Sequence, residues 1–457
     1  MTVVFSVILG LIGLGIVIFV HELGHFLAAR AMGIGVDAFS LGWGPRVAGF
    51  RRGGTEYRIS AFPIGGYCLM KGEDAFRKAL ESKSDQIPRD PGTFYGAAPW
   101  RRIVVSLAGP LANVAFAAVV FMIVAASGYS VQTHENRIVL ASQFPLDTKT
   151  APALYPADRA GLKTGDRIVA ADGKPVRDYF DLQDAITTSN PGGRIGVFAW
   201  IDPEIKQVAE GSSAALAGLV AGDRIVTVDG APIDQVMALY SYLRTRPERV
   251  VLGVTRAGSR LDFPLVITWK DSGESNLGLT FGSQSHIVRS PSLPAAAVDG
   301  LRETGKTFSL TLRSLGILVR HPDPKPLKVE VQRDSSQFGL SLLPSLEGVN
   351  VMNSLSGPAR ITWIVGSTAS QGLGEGGVSG LSKSFDLLAF LSIGLFIMNL
   401  LPIPALDGGQ ILLFVFEGAR RKPLKVRTIY RFQFVGAALV FAIFILATVS
   451  DLIFFAG

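Results

Sequence analysis

The tightest constraint on this chain is a cluster of metal-ligating side chains where a bilayer would tolerate none without a use. His21-Glu22-Leu23-Gly24-His25 directly follows the apolar run Val3 to Val20, and Phe26 to Met32 carries the apolar helix past it. On a helix advancing about 100° per residue, positions four apart share a face, so His21 and His25 can point at one ion with Glu22 beside it. Neutral imidazole is a good zinc ligand. A catalytic zinc takes three protein ligands and leaves a fourth position to a water whose pKa it lowers to about 7, which Glu22 can deprotonate. Ionisable residues inside a spanning helix cost roughly 2.5–3.5 kcal/mol each on insertion scales, so three within five residues imply a function.

The motif supplies two ligands, and Asp407 is the candidate for the third. It lies in Asn399-Leu400-Leu401-Pro402-Ile403-Pro404-Ala405-Leu406-Asp407-Gly408-Gly409, within a second apolar segment from about Phe385 to Phe416. A carboxylate there is costly unless paired or metal-bound. The two prolines remove backbone donors and unwind the helix, which is tolerated at membrane depth where the freed backbone lines a protein-buried or aqueous cavity. The competing reading of Asp407, a capping residue at the membrane edge, loses weight beside a separate HExxH.

These residues resemble the site-2 proteases of the RseP type, intramembrane zinc metalloproteases carrying PDZ domains. The resemblance spans most of the chain and rests on HELGH near the start, the Asn-x-x-Pro-x-Pro-x-Leu-Asp-Gly run near the end, and Gly109-Pro110-Leu111-Ala112-Asn113 in the second apolar helix. It implies Zn2+ on His21, His25 and Asp407, Glu22 as general base, and Asn399 holding the substrate backbone, with Pro402 and Pro404 shaping the broken helix. Gly109 and Asn113 match a helix-packing motif, and small residues do allow close helix approach in lipid. Asn113 reads as an interhelical hydrogen bonder rather than a catalytic group.

With 457 residues, 48% of them hydrophobic, the chain is too long and too apolar for one ordinary soluble domain. Runs long enough to span are Val3 to Met32, Ile103 to Tyr129, Phe385 to Phe416 and Phe432 to Phe455. The fold class expected is an α-helical polytopic membrane protein of about four transmembrane helices, with two inserted PDZ-like α+β domains and a re-entrant β-hairpin on the cytoplasmic side. The expected boundaries are a first helix at 1–32, a connection with a β-loop at 33–98, and a second helix at 99–130. PDZ-like domains follow at 131–200 and 201–284, then an interfacial segment and linker at 285–384. A third helix at 385–416, a loop at 417–431 and a fourth helix at 432–457 complete the chain.

Orientation follows from the basic residues. Arg46, Arg51, Arg52, Arg58, Lys71, Arg77, Lys78, Lys83, Arg101 and Arg102 fall between the first two helices, and Arg420, Arg421, Lys422, Lys425, Arg427 and Arg431 precede the last. The positive-inside rule makes both loops cytoplasmic and puts the termini and the middle region outside. The first helix lacks a basic n-region and an A-x-A site and reads as retained rather than as a signal peptide. The net charge of +7 sits at membrane edges without a nucleic-acid module, so no nucleic-acid partner is expected. The single cysteine, Cys68, leaves the exported region without a disulfide.

The middle region repeats itself. Ala160-Gly161-Leu162, Gly165-Asp166-Arg167-Ile168 and Asp172-Gly173 recur as Ala217-Gly218-Leu219, Gly222-Asp223-Arg224-Ile225 and Asp229-Gly230. The order reads as short helix, turn, buried strand and tight turn, and resembles tandem PDZ domains, which take peptides by strand addition. The stretch Ser142 to Tyr155 shows no glycine-rich carboxylate-binding loop for the first copy. Leu301 to Arg320 reads as an amphipathic helix ended at His321, itself a loop residue, and Gln371 to Gly380 as a flexible linker.

In the first connection, alternating residues between Gly53-Gly54 and Gly65-Gly66 suggest hairpin strands with an apolar tip. The family resemblance makes this a β-loop beside the active site, with Ile59, Ala61, Gly65 and Gly66 as candidate substrate contacts. A transmembrane substrate hides its amides in helical hydrogen bonds and must unwind first, so helix-breaking residues should promote its cleavage.

The expected function is therefore an intramembrane zinc endopeptidase of a bacterial inner membrane, cutting single-span transmembrane proteins near their cytoplasmic side. By resemblance, its substrates are an anti-sigma factor first trimmed by an upstream site-1 protease, or remnant signal peptides. A metal transporter would show internal helical repeats and more spans, and a silent PDZ scaffold would have little reason to keep Glu22 between two histidines.

Overall fold

A computed structural model describes residues 2–144, 154–191, 193–270, 275–320, 325–342, 344, 357–375 and 377–456. The chain divides into two compact units, one comprising 1–130, 287–315 and 350–457 and the other 131–286 and 316–349. His321 and most of the stretch Ser142 to Tyr155 lie outside the described residues.

In the first unit, α1 (Thr2–Ala31) runs unbroken through the HExxH, because its apolar residues leave the backbone no partner in lipid except itself. Two long strands, β1 (Val36–Arg52) and β2 (Thr55–Met70), follow. They are not the simple hairpin expected at 53–67. Leu41 pairs with both Gly66 and Ile59, and Phe39 with both Cys68 and Tyr57, so the two strands fold over each other. Residues 36–41 run between 66–70 on one side and 56–59 on the other, the second pairing in rising register (Ala38 with Glu56, Leu41 with Ile59), and 46–52 pairs beyond that. The left-handed glycines Gly42, Gly44 and Gly65 make the reversals that a side chain would oppose.

After α2 (Glu73–Glu81), α3 (Pro99–Ser127) packs on α1. A Cβ on Gly24 would lie 2.4 Å from the Ala108 carbonyl oxygen, so this glycine sets how near the two helices come beside the HExxH.

The second unit holds two α+β modules with the same sheet order but a permuted chain order. After β3 (Tyr129–Thr133), module 1 comprises β4 (Ile138–Leu140), α4 (Pro156–Arg159), β5 (Arg167–Ala171), β6 (Lys174–Pro175), α5 (Tyr179–Ser189) and β7 (Val197–Ala199). Module 2 comprises β8 (Ile205–Val208), α6 (Ser213–Ala217), β9 (Arg224–Val228), β10 (Ala231–Pro232), α7 (Val236–Leu243), β11 (Arg249–Arg256), β12 (Ser259–Val266) and β13 (Leu279–Phe281). Then come β14 (Gln284–Val288) and α8 (Leu293–Arg320), and a hairpin, β15 (Leu327–Arg333) and β16 (Ser336–Leu342), returns to module 1. Its sheet, β16-β15-β5-β6, repeats the β12-β11-β9-β10 order of module 2.

The first module therefore does not end at residue 200, and 325–342 is not linker. Leu327, Val329, Val331 and Leu342 are part of its buried core. Asn190 fixes the return: its Nδ2 donates to the Lys325 carbonyl at 2.8 Å, and its Oδ1 accepts from the Lys325 N–H at 2.6 Å. Each module carries an equivalent ion pair. Arg333 grips buried Asp166 at 2.6 and 2.7 Å, as Arg256 grips buried Asp223 at the same two distances.

In the first unit the chain resumes with α9 (Pro358–Glu375), α10 (Gly377–Leu400), α11 (Asp407–Arg420) and α12 (Val426–Ala456). The segment expected as a flexible linker, Gln371 to Gly380, is helical on both sides of residue 376, and α9 lies along α1 where Gly10 and Gly366 allow backbone-close contact. Asp451, near the end of α12, accepts N–H bonds from Gly357, Ala359 and Arg360 and so caps α9. Among the described residues, four helices are long and apolar enough to cross a membrane, at Val4–Ala31, Pro99–Ser127, Leu381–Leu400 and Val426–Phe455. The protein is accordingly a polytopic membrane protein. The third candidate span stops at Leu400 rather than running to Phe416, because Pro402 and Pro404 break it and α11 starts afresh at Asp407.

Candidate metal centre

Three side chains from two helices of the first unit converge on one point. His21 and His25 project from one face of α1, with their Nε2 atoms 3.1 Å apart. Asp407, the first residue of α11, places Oδ2 3.2 Å from Nε2 of His21 and 3.5 Å from Nε2 of His25. Nitrogen and oxygen ligands about 2.0–2.1 Å from a tetrahedral zinc stand about 3.3 Å from one another. The three separations match that spacing, and the donor set of two imidazoles and a carboxylate suits the ion.

The break between α10 and α11 brings the carboxylate in. Ile403 N–H bonds to the Leu401 carbonyl at 2.7 Å and Leu406 N–H to Ile403 at 3.1 Å, while Ala405 takes φ +77°, a conformation unusual for a residue with a Cβ. Gly408 then nests on the end of α10, where a Cβ would meet the Leu400 and Leu401 carbonyl oxygens at 2.4 Å. Pro404 lies under α12, its carbonyl oxygen 1.8 Å from where a Cβ on Gly436 would sit. Pro402 falls within the turn itself.

One face of α3 backs the histidines. The outer nitrogen of His25, Nδ1, bonds to the Val105 carbonyl oxygen at 2.8 Å, and Nδ1 of His21 lies 3.2 Å from the Asn113 amide. Gly109, midway between them, faces the His25 ring, and a Cβ there would lie 2.3 Å from Nε2. Val105, Gly109 and Asn113 are spaced one turn apart. The Asn399 amide, from α10, approaches Nε2 of His21 at 3.4 Å.

Glu22 is half-buried beside these three side chains and receives the Cys68 backbone N–H. The 66–70 segment of β2 is the nearest part of the sheet: a Cβ on Gly66 would lie 3.7 Å from Cγ of Glu22, and one on Gly65 would touch Trp43 and Ile18. Its far edge has no strand partner among the described residues. Ile59 sits elsewhere, paired on both sides by Leu41 and Ala48, so it presents no free edge, and Ala61 follows it on an exposed stretch. Glu73, at the start of α2, is pushed up to about 7, first by burial and then by the negative charge of Glu22.

The support from Val105 was not readable in the sequence, because a backbone carbonyl carries no residue signature. The modules hold a second concave feature. In module 2 a cavity of about 850 Å3 opens between α7 and β13, lined by Met237, Tyr240, Leu243, Leu277 and Leu279, with Arg244 and Arg246 at the same cavity. In module 1 the Tyr179 hydroxyl donates to the Val197 carbonyl oxygen at 2.9 Å, tying α5 to β7 across the equivalent cleft. Both strands follow an apolar-Gly-apolar turn, Ile195-Gly196-Val197 and Leu277-Gly278-Leu279, with both glycines at positive φ. The first copy's glycine turn thus lies after its helix, not upstream at Ser142 to Tyr155.

The profile of peptidase family M50 matches residues 9–443. A candidate zinc metalloprotease of Treponema pallidum (strain Nichols) is 33% identical over 477 residues, covering 98% of this chain and 99% of that protein. The regulator of sigma-E protease RseP of Escherichia coli (strain K12) is 27% identical over 485 residues, covering 96% of this chain and 97% of that protein. A His-His-Asp cluster drawn from a membrane-length helix and the start of α11, and similarity along the whole chain, lead to one conclusion: this protein is a zinc metalloprotease belonging to peptidase family M50.

Proposed function

We propose that the protein hydrolyses peptide bonds inside the transmembrane segments of single-span membrane proteins, with His21, His25 and Asp407 as the zinc ligands and Glu22 as the general base. The observation carrying this reading is the cluster itself, three ligand atoms of zinc-binding type within 4.8 Å of one another. Bound zinc would supply the Lewis acid that polarises the scissile carbonyl and acidifies a water. Glu22, next to both histidines and held by the Cys68 N–H, takes the proton from the attacking water and returns it to the departing amine. Asn399, within reach of the ligand cluster, is placed to donate to the substrate backbone.

The free edge at 66–70 supports a substrate strand laid beside Glu22, so the segment to be cut is unwound before attack. The basic loops support a site near the cytoplasmic side of a bacterial inner membrane, with the two modules and both termini on the periplasmic side. We read the modules as PDZ-like, module 2 having the open groove for an extended peptide or C-terminus. Substrates are then segments already trimmed by an upstream protease, or signal-peptide remnants.

Replacing Asp407 with Ala tests the assignment. Bound zinc and cleavage of a tagged single-span peptide are expected to fall together; an Asp407→Ala protein with native zinc content and native cleavage refutes it.

A further inference from the structure

Asn113 is wholly buried and lies on the face of α3 opposite the two histidines. Its Nδ2 is the atom 3.2 Å from Nδ1 of His21, and its Oδ1 is buried with no hydrogen-bond partner among the described residues. If Nε2 of His21 is given to a metal, the ring's proton must sit on Nδ1, and two donors would face each other. An asparagine amide turned over keeps its shape and exchanges oxygen for nitrogen. The 3.2 Å contact then becomes an N–H donating to Oδ1.

We infer that Asn113 is a positioning residue whose side-chain oxygen accepts from Nδ1 of His21, fixing that imidazole's tautomer and ring angle. The partner ring is held in the same way, since Nδ1 of His25 has the Val105 carbonyl oxygen at 2.8 Å. Asn113 and Val105 stand two turns apart on α3, so a single helix supplies an acceptor to the outer nitrogen of each histidine. Asn113 is itself anchored, with its backbone carbonyl accepting from the Ser392 hydroxyl of α10 at 3.0 Å. Outer acceptors of this kind raise ligand basicity, and losing one costs about 10–100-fold in metal affinity. A helix-packing residue would show no such effect.

The inference rests on the reading of His21 as a zinc ligand, and the experiment separates the two. Zinc affinity is measured by chelator competition on full-length protein in detergent for the native chain, His21→Ala, Asn113→Ala, Asn113→Asp and Gly394→Ala. Should Asn113→Ala yield no folded protein, Asn113→Leu replaces it with the same expectation. Asn113→Ala is expected to bind about 10–100-fold more weakly. Asn113→Asp, which keeps an acceptor, stays at or above native affinity, and Gly394→Ala, whose Cβ on α10 meets open space, stays native. Native affinity in His21→Ala overturns the ligand reading. Loss in His21→Ala with native affinity in Asn113→Ala, or equal weakness of Asn113→Asp and Asn113→Ala, overturns the inference alone.

Discussion

A single methyl group at Gly109 should disable the metal centre while leaving the fold in place. The Cβ of an alanine there would lie 2.3 Å from Nε2, 2.5 Å from Cε1 and 2.8 Å from Cδ2 of His25. Non-bonded heavy atoms settle at about 3.5 Å, so ring and helix must part by about 1.2 Å. The ring has little freedom to do so, with Nδ1 tied to Val105 at 2.8 Å and the His21 ring packed nearly perpendicular to it, centroids 4.7 Å apart. Ligand positions tolerate about 0.2 Å, and a misplacement of about 1 Å costs roughly 100-fold in rate. The strain itself is about 1–3 kcal/mol, within what a helical membrane core survives. The assay is zinc content and cleavage of a tagged transmembrane peptide, with Gly394→Ala as the control because a Cβ on that α10 glycine meets open space. Gly109→Ala should lose cleavage by about 100-fold while its far-ultraviolet circular dichroism matches native. A Gly109→Ala protein with native zinc and cleavage within about threefold of native would show that His25 is not held where the structure puts it.

Other consequences follow from particular contacts. Glu417 is buried between Arg89 and Arg102, and the Arg102 side chain is only 1% exposed, so Glu417→Gln leaves a guanidinium buried without its counter-charge. The cost should be about 3–5 kcal/mol, seen as a lower melting temperature in detergent; native melting contradicts it. Asp223 is held below its ordinary value by the Arg256 guanidinium, and the Val220 N–H adds to this. Because the folded value is the lower one, the stabilisation is full above about pH 3.9 and is lost as pH falls through the folded pKa. Arg256→Met should therefore shift the acid loss of protection at β9 and β11 to higher pH in hydrogen exchange, and an unmoved acid limb counts against the pairing. A peptide with an apolar C-terminus should protect α7 and β13 but not α5 and β7, where Tyr179 closes the cleft, and Leu279→Asp should abolish the effect. Equal protection of both modules defeats this reading.

How much of this was legible depended on whether the signal lay in residue type or in path. His21, His25 and Asp407 announced themselves because ionisable groups in apolar runs are costly, and the distances among them follow from the HExxH spacing and the proline break. The duplicated Gly-Asp-Arg-Ile was equally plain. The nesting of one module inside the other was not, because β15 and β16 lie far from β5 in sequence and only their alternating burial, Leu327, Val329 and Val331 inward, hints at a strand. Their Arg333 repeats Arg256 without any neighbouring motif to mark it. In β1 and β2, Gly53-Gly54 marks the turn between the strands, but Gly65-Gly66 lies within β2, and the double pairing of residues 36–41 follows from long-range register that local alternation cannot specify. Linker-like composition at Gln371 to Gly380 misled because tertiary packing overrides glycine's low helix propensity.

The central claim is that Glu22 does proton chemistry beside a zinc it does not bind. The direct test is to purify Glu22→Gln and the native chain in the same detergent, measure bound zinc, and follow cleavage of one tagged transmembrane peptide with and without a zinc chelator. The account predicts full zinc in both proteins, cleavage only by the native chain, and none after chelation. Cleavage by zinc-loaded Glu22→Gln, or chelator-resistant cleavage by the native chain, would contradict it.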